Sequence, residues 1–203
     1  MKILLTGFEP FGGEARNASW EAVRLVRAPA GTELKKLLLP TVFGLSGDLL
    51  CAALAAECPA LILCVGQAAG RDAITPELRA VNRMEASIPD NAGALPRGEP
   101  VVPGGPELLL SRLPVRELAE AVSGAGLPAR VSDSAGLFVC NQLFYRLLYE
   151  LETEFPRLFG GFVHVPCLPE QALRPDREEP LPALPLEDTV RGLQAVLDRL
   201  AEA

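Results

Sequence analysis

The chemistry this sequence can offer centres on Cys140, in SDSAGLFVCNQLFY (residues 132–145), and His164, in GGFVHVP (residues 160–166). Cysteine attacks as its thiolate, and it needs a base to take the proton and a positive environment to hold the charge. The chain contains a single histidine, so His164 has no rival for the role of base. From residue 139 onward Val139, Leu143, Phe144, Leu147, Leu148 and Leu151 recur at helical spacing, which predicts a helix with one buried face and Cys140 in its first turn. There the unpaired N–H groups and the positive end of the helix dipole favour a thiolate. An acid that orients the imidazole would complete the set. Glu77, Asp72, Glu85, Asp90 and Asp133 all qualify by type, and spacing does not choose among them.

The elements that must position these residues follow from periodicity and turn signals. Pro128 to Val131 reads as the tail of a strand, and Gly136 supplies a backbone free to turn before the helix. His164 sits near the end of a buried apolar run closed by Pro166. Strand, helix, strand over residues 128–166 predicts a βαβ unit, whose parallel strands share one carboxyl edge. Open α/β sheets bind ligands at that edge.

Two further segments are expected there. Lys2 to Thr6 reads as a buried first strand that opens into GFEPFGG, residues 7–13, and Ala60 to Gly66 as a strand that opens into Gln67–Arg71. The glycine-rich loop lacks the GxGxxG spacing and the GK[ST] ending of phosphate-binding loops, which argues against a nucleotide site. Phe8 and Phe11 suit the wall of a small apolar pocket instead. Gln67 offers one amide with both a donor and an acceptor for a neutral polar group.

Composition narrows the classes. A chain of 203 residues with 49% hydrophobic and 22% charged content fits one globular domain over residues 1–203. A formal charge of -7 without a basic patch argues against nucleic acid or an anionic membrane as partner. Five cysteines without CxxC spacing fit a reducing cytoplasm rather than a disulfide framework, and a single histidine without paired cysteine ligands argues against a structural or catalytic zinc site. The opening MKILLTGF is too short an apolar run for a signal peptide.

The remaining segments complete the expected alternation. Asn17 and Ser19 read as caps of a helix reaching Val26, Leu34 to Pro40 as a strand, and Asp48 to Cys58 as a helix with Cys51 and Cys58 on one packed face. Thr75, Pro76 and Glu77 have the look of a cap, a first-turn proline and a first-turn acid, hence a helix start. Residues 80–105 read as strands or a flap, residues 114–123 as a helix, residues 169–185 as an irregular segment and residues 186–201 as a closing helix. The order predicts an α/β three-layer sandwich, a mostly parallel central sheet with helices on both faces.

Taken together, the motifs give a resemblance. TGFEPFGG at Thr6, LPTVF at Leu39, CVGQAAGR at Cys64, ITPE at Ile74, IPDN at Ile88, SAGLFVCN at Ser134 and GGFVHVPCLPEQ at Gly160 resemble, in order and over most of the chain, the pyrrolidone carboxyl peptidase (pyroglutamyl peptidase) family of cysteine peptidases. The resemblance implies a cofactor-free omega peptidase that removes an N-terminal pyroglutamyl residue from peptides through a thioester, commonly as a cytoplasmic homotetramer. It implies Cys140 as nucleophile, His164 as base and, through ITPE, Glu77 as the acid. By the same matching Phe8, Phe11, Asn17, Gln67 and Phe138 would bind the pyroglutamyl ring.

One departure stands out. Bacterial relatives usually carry Arg just before IPDN, where this chain has Ser87, so a cation near the site is lost unless Arg79 or Arg83 replaces it. Two other readings differ in class: a cysteine hydrolase of another neutral amide, and a non-catalytic homologue that binds pyroglutamyl termini without cutting them. The intact Cys140, His164 and Glu77 argue for turnover.

Overall fold

Continuous apolar runs form the central strands because both of their faces are covered. The computed structural model describes residues 1–172 and 179–202. Strands β1 (Lys2–Phe8), β2 (Glu33–Leu39) and β3 (Leu61–Gln67) alternate with helices α1 (Ala18–Val23) and α2 (Leu45–Glu57). Short strands follow: β4 (Thr75–Pro76), β5 (Arg79–Val81), β6 (Met84–Glu85), β7 (Arg97–Glu99) and β8 (Leu108–Leu110). The chain continues through α3 (Val115–Gly124), α4 (Val139–Thr153), β9 (Phe159–Val165), α5 (Pro169–Ala172) and α6 (Leu186–Ala201).

The main sheet has the order β2-β1-β3-β9-β4. The pairs β1–β2, β1–β3 and β3–β9 are parallel, and β4 closes the sheet antiparallel to β9. Side chains alternate across the strands and so feed two separate cores. Ile3, Leu5, Leu63, Val65, Val163 and Val165 pack with residues of α1, α3 and α6 on one face. Leu4, Ile62, Cys64 and Phe162 pack with α2 and α4 on the other. The α/β sandwich expected from the alternation is the architecture observed. Two small antiparallel pairs, β5–β8 and β6–β7, make up the flap.

Three expectations are corrected. Thr75–Glu77 is not a helix start. Thr75 and Pro76 pair with His164 and Val163 of β9, and Glu77 N–H donates to Phe162 O, so tertiary pairing overrides a local cap signature. Residues 128–131 are not the parallel partner of β9 either. Ala129 and Ser132 form isolated parallel bridges to Ile74 and Glu77, which puts this segment beside β4 and antiparallel to β9. Cys58 is not packed in a helix face: it is the left-handed cap of α2, at φ 46°, and is exposed.

Boundaries moved less. Helix α1 ends at Val23 rather than Val26, and α2 starts at Leu45 rather than Asp48. In the stretch expected to be irregular, α5 occupies residues 169–172, and residues 173–178 lie outside the described residues. Among the described residues no helix is long and apolar enough to cross a membrane.

Candidate active site

At the carboxyl edge of β1, β3 and β9 lies a cavity of about 400 Å³ whose lining includes Phe8, Gln67, Phe138, Cys140 and His164. Cys140 is the second residue of α4, which starts after Phe138 without a side-chain cap, so its first N–H groups are available to a ligand. The helix register is locked by buried Val139, Leu143, Phe144, Leu147, Leu148 and Leu151. Asn141 pins the same turn to the flap, accepting from Val81 N–H at 3.0 Å and donating to the carbonyls of Val81 and Arg83 at 2.9 Å each.

Gly66 brings the Cys140 thiol to the sheet. A β-carbon there would lie 2.8 Å from Cys140 Sγ and 2.8 Å from Phe162 Cζ, distances no side chain tolerates. The thiol therefore rests on the backbone of β3. Across the sheet Gly66 is the register partner of His164, and neighbouring strands are about 4.8 Å apart. Thiol and imidazole thus open into one cavity on the same side of the sheet.

Glu77 completes the line. His164 Nδ1 lies 2.8 Å from Glu77 Oε1, with both side chains buried. Burial alone would raise the Glu77 pKa, but His164 above all, with the Arg71 charge as a smaller contribution, holds it below the ordinary 4.5. An ionised carboxylate only accepts, so the imidazole proton sits on Nδ1 and Nε2 keeps its lone pair. The other acids are engaged elsewhere: Asp72 pairs with Arg130, Asp133 with Arg79 and Glu85 with Arg83, while Asp90 accepts from the N–H groups of Phe43, Ala92 and Ala94.

The electrostatics describe a neutral resting pair. Burial pushes the Cys140 thiol up to about 12; the Glu77 charge adds to this and Arg71 opposes it. Part of the Cys140 surface opens to the cavity. Burial lowers the His164 pKa from 6.5, against the hydrogen bond and charge of Glu77 and with help from Arg71. The helix terminus therefore does not by itself leave a free thiolate, as its position suggested.

The expected ring-binding residues all line this cavity, yet they differ in what they present. Phe8 is buried, while the Phe11 and Phe138 rings lie tilted against each other, 5.8 Å between centroids. Gln67 Oε1 already accepts from Ala18 N–H at 2.6 Å, so the amide offers its N–H donors. Asn17 caps α1, accepting from Ser19, and donates to Glu9 O at 2.9 Å. Its polar atoms shape the pocket from behind.

Sequence reasoning missed Gly66 and Asn141, and it looked for the cation in the wrong place. Arg79 binds Asp133 and Arg83 binds Glu85, and neither lines the cavity. Arg71 does, together with Ser87 at the exposed rim. Its position in CVGQAAGR, four residues after Gln67, was the available signal. Among the described residues no group of three or more His, Cys, Asp or Glu side chains could hold a metal.

Comparison with known proteins decides the family. The family model described as pyroglutamyl peptidase matches residues 1–203. The chain belongs to the pyroglutamyl peptidase family. Pyrrolidone-carboxylate peptidases of Streptomyces coelicolor and Levilactobacillus brevis are 50% and 46% identical, each over 97% of this chain and over 90% and 96% of their own lengths. A crystal structure of pyroglutamyl peptidase I from Bacillus amyloliquefaciens superposes with a TM-score of 0.94 at 44% identity, covering 100% of this chain and 97% of the other. A pyrrolidone carboxyl peptidase variant from P. furiosus gives 0.95 at 34% identity, with 100% and 99% coverage. The motifs that suggested this family from sequence lie, in this fold, around one cavity.

Proposed function

We infer that this chain hydrolyses the amide bond after an N-terminal pyroglutamyl residue of peptides, with Cys140 as nucleophile, His164 as base and Glu77 as the acid that orients it. The observation that carries the reading is the buried Glu77–His164 hydrogen bond in the cavity into which Cys140 opens.

The chemistry follows from the geometry. A pyroglutamyl group has a neutral lactam and no ammonium, so it suits a slot walled by Phe8, Phe11 and Phe138 with amide donors from Gln67. Cys140 Sγ attacks the pyroglutamyl carbonyl carbon as its proton passes to His164 Nε2. The oxyanion that forms faces the first N–H groups of α4. His164 then returns the proton to the departing amine, which leaves a thioester on Cys140. Water, deprotonated by the same imidazole, attacks the thioester and releases pyroglutamate and the thiol. Glu77 stays ionised throughout and supports the transient imidazolium.

Residence in a reducing cytoplasm belongs to this reading, supported by the free thiols of Cys51, Cys58, Cys64 and Cys140. So does assembly into a homo-oligomer, a tetramer by family resemblance. Leu110 and Phe159, exposed by 58% and 59%, support such contacts.

The test is release of a fluorogenic amine from a pyroglutamyl amide. Reduced wild type hydrolyses it, while Cys140→Ser and iodoacetamide-treated protein lose about 10³-fold or more. A folded, reduced wild type without turnover would overturn the reading.

A further inference from the structure

Arg71 occupies a place that the mechanism above does not use. Its Nη1 donates to Glu77 Oε1 at 2.5 Å and to Thr75 Oγ1, and its Nη2 donates to Ser134 O at 2.7 Å. Thr75 is the β9 register partner of His164. Ser134 lies in the segment that leads into α4 and Cys140. One side chain from the loop after β3 therefore fastens the acid, the strand beside the base and the approach to the nucleophile. Glu77 Oε1 takes donors from Arg71 and His164 at once, whereas Oε2 is buried without a hydrogen-bond partner.

We propose that Arg71 is a positioning residue of the hydrolytic site: it holds the Glu77 carboxylate against His164 and ties that pair to the segment presenting Cys140. The proposal rests on the reading of the site as a pyroglutamyl peptidase. A planar guanidinium suits the task because its donors diverge at fixed angles, which a lysine ammonium cannot reproduce. Arg71 also offsets the Glu77 charge that opposes a negative sulfur, and it disfavours a proton on His164. The charged and titratable groups around the imidazole are Glu77 just after β4, Arg71 from the loop after β3 and Cys140 from α4, with the Cys64 thiol of β3 near Cys140. Glu85 of β6 lies further along the cavity.

The single histidine makes a direct test available, since its ring Cε1–H signal in an NMR titration is unambiguous. In Arg71→Met the His164 midpoint is expected to rise by about one pH unit. The acid limb of pyroglutamyl-amide hydrolysis should rise with it, and kcat should fall about tenfold or more while KM changes little. Arg71→Gln, which keeps donors without charge, should share the midpoint shift. Arg71→Lys should keep the wild-type midpoint and still lose kcat. A folded Arg71→Met or Arg71→Gln with the wild-type midpoint overturns the proposal, as does Arg71→Lys with full kcat. Should Arg71→Met fail to fold, Gln and Lys decide alone. The titration needs no substrate, so absence of pyroglutamyl hydrolysis in wild type would be seen separately.

Discussion

Gly66 and Cys140 touch so closely that the position of the thiol is set by the absence of a side chain: a β-carbon on Gly66 would stand 2.8 Å from Sγ. The Phe162 ring is held in the core against Phe8, Phe144 and His164, so the Cys140 side chain, half-buried at the cavity, is the one to give way. Gly66→Ala should therefore fold, at a cost of about 1–3 kcal/mol for overpacking, but with the thiol displaced. A misplacement of this size costs about 10²-fold in rate. Thermal unfolding alongside kcat/KM checks it, and a variant that loses stability but keeps its rate would refute the account.

Acid should inactivate the protein through His164. Burial holds its pKa below 6.5, and only the neutral ring accepts the thiol proton. The rate should rise with pH through that lowered value, reach its plateau by about pH 6.5 and stay level through neutrality, because the Cys140 thiol is pushed up to about 12. Stability moves in the same direction. As pH falls below 6.5 the unfolded chain gains a proton that folded His164 resists. Below 4.5 the lowered Glu77 pKa withdraws its own contribution as pH falls towards it. A pH–rate profile with denaturant melts at each pH would reveal any acid limb centred above 6.5, which would contradict this assignment.

Asp90 is expected to govern substrate binding without taking part in chemistry. Its carboxyl gathers the N–H groups of Phe43, Ala92 and Ala94 at 2.8, 2.9 and 2.8 Å, and Phe43 meets Phe138 edge-on at 5.2 Å. Asp90→Ala leaves those donors without their acceptor, a loss of about 2–3 kcal/mol. KM should rise severalfold with little change in kcat, as steady-state kinetics on the folded variant would measure.

Ser87 offers the opposite kind of test, a gain. It lies on the exposed cavity rim, with room for a longer side chain. Ser87→Arg should add a cation facing the developing oxyanion and raise kcat/KM by about threefold to tenfold, a modest electrostatic term at an exposed position. Unchanged kinetics would mean that Arg71 already supplies the cation this site needs.

Legibility from sequence followed the range of the interactions concerned. Helix α6 is found over residues 186–201 as expected, because amphipathic periodicity is local and strong. The position of Cys140 in the first turn of α4 and of His164 near the end of β9 was read the same way. Residues 75–77 and 128–132 were misread because their partners are each other and β9, far away in sequence. Glu77 was one acid among five for the same reason. Its pairing with His164 depends on an antiparallel strand that no local pattern announces. Gly66 was hidden inside an apolar run, where a glycine says only that something comes close and not what.

Helix α4 acts as a gauge. Its buried residues fix the rotation of the helix against the sheet, so a residue inserted within the helix just after Cys140 would set the nucleophile about 100° out of phase with that buried face. An insertion among residues 133–137, which belong to no helix or strand, would leave that phase untouched. Length variation in this protein should therefore be forbidden by helix phase just after Cys140, while before it the constraint is the tie of Ser134 to Arg71 and the cavity wall formed by residues 135–137.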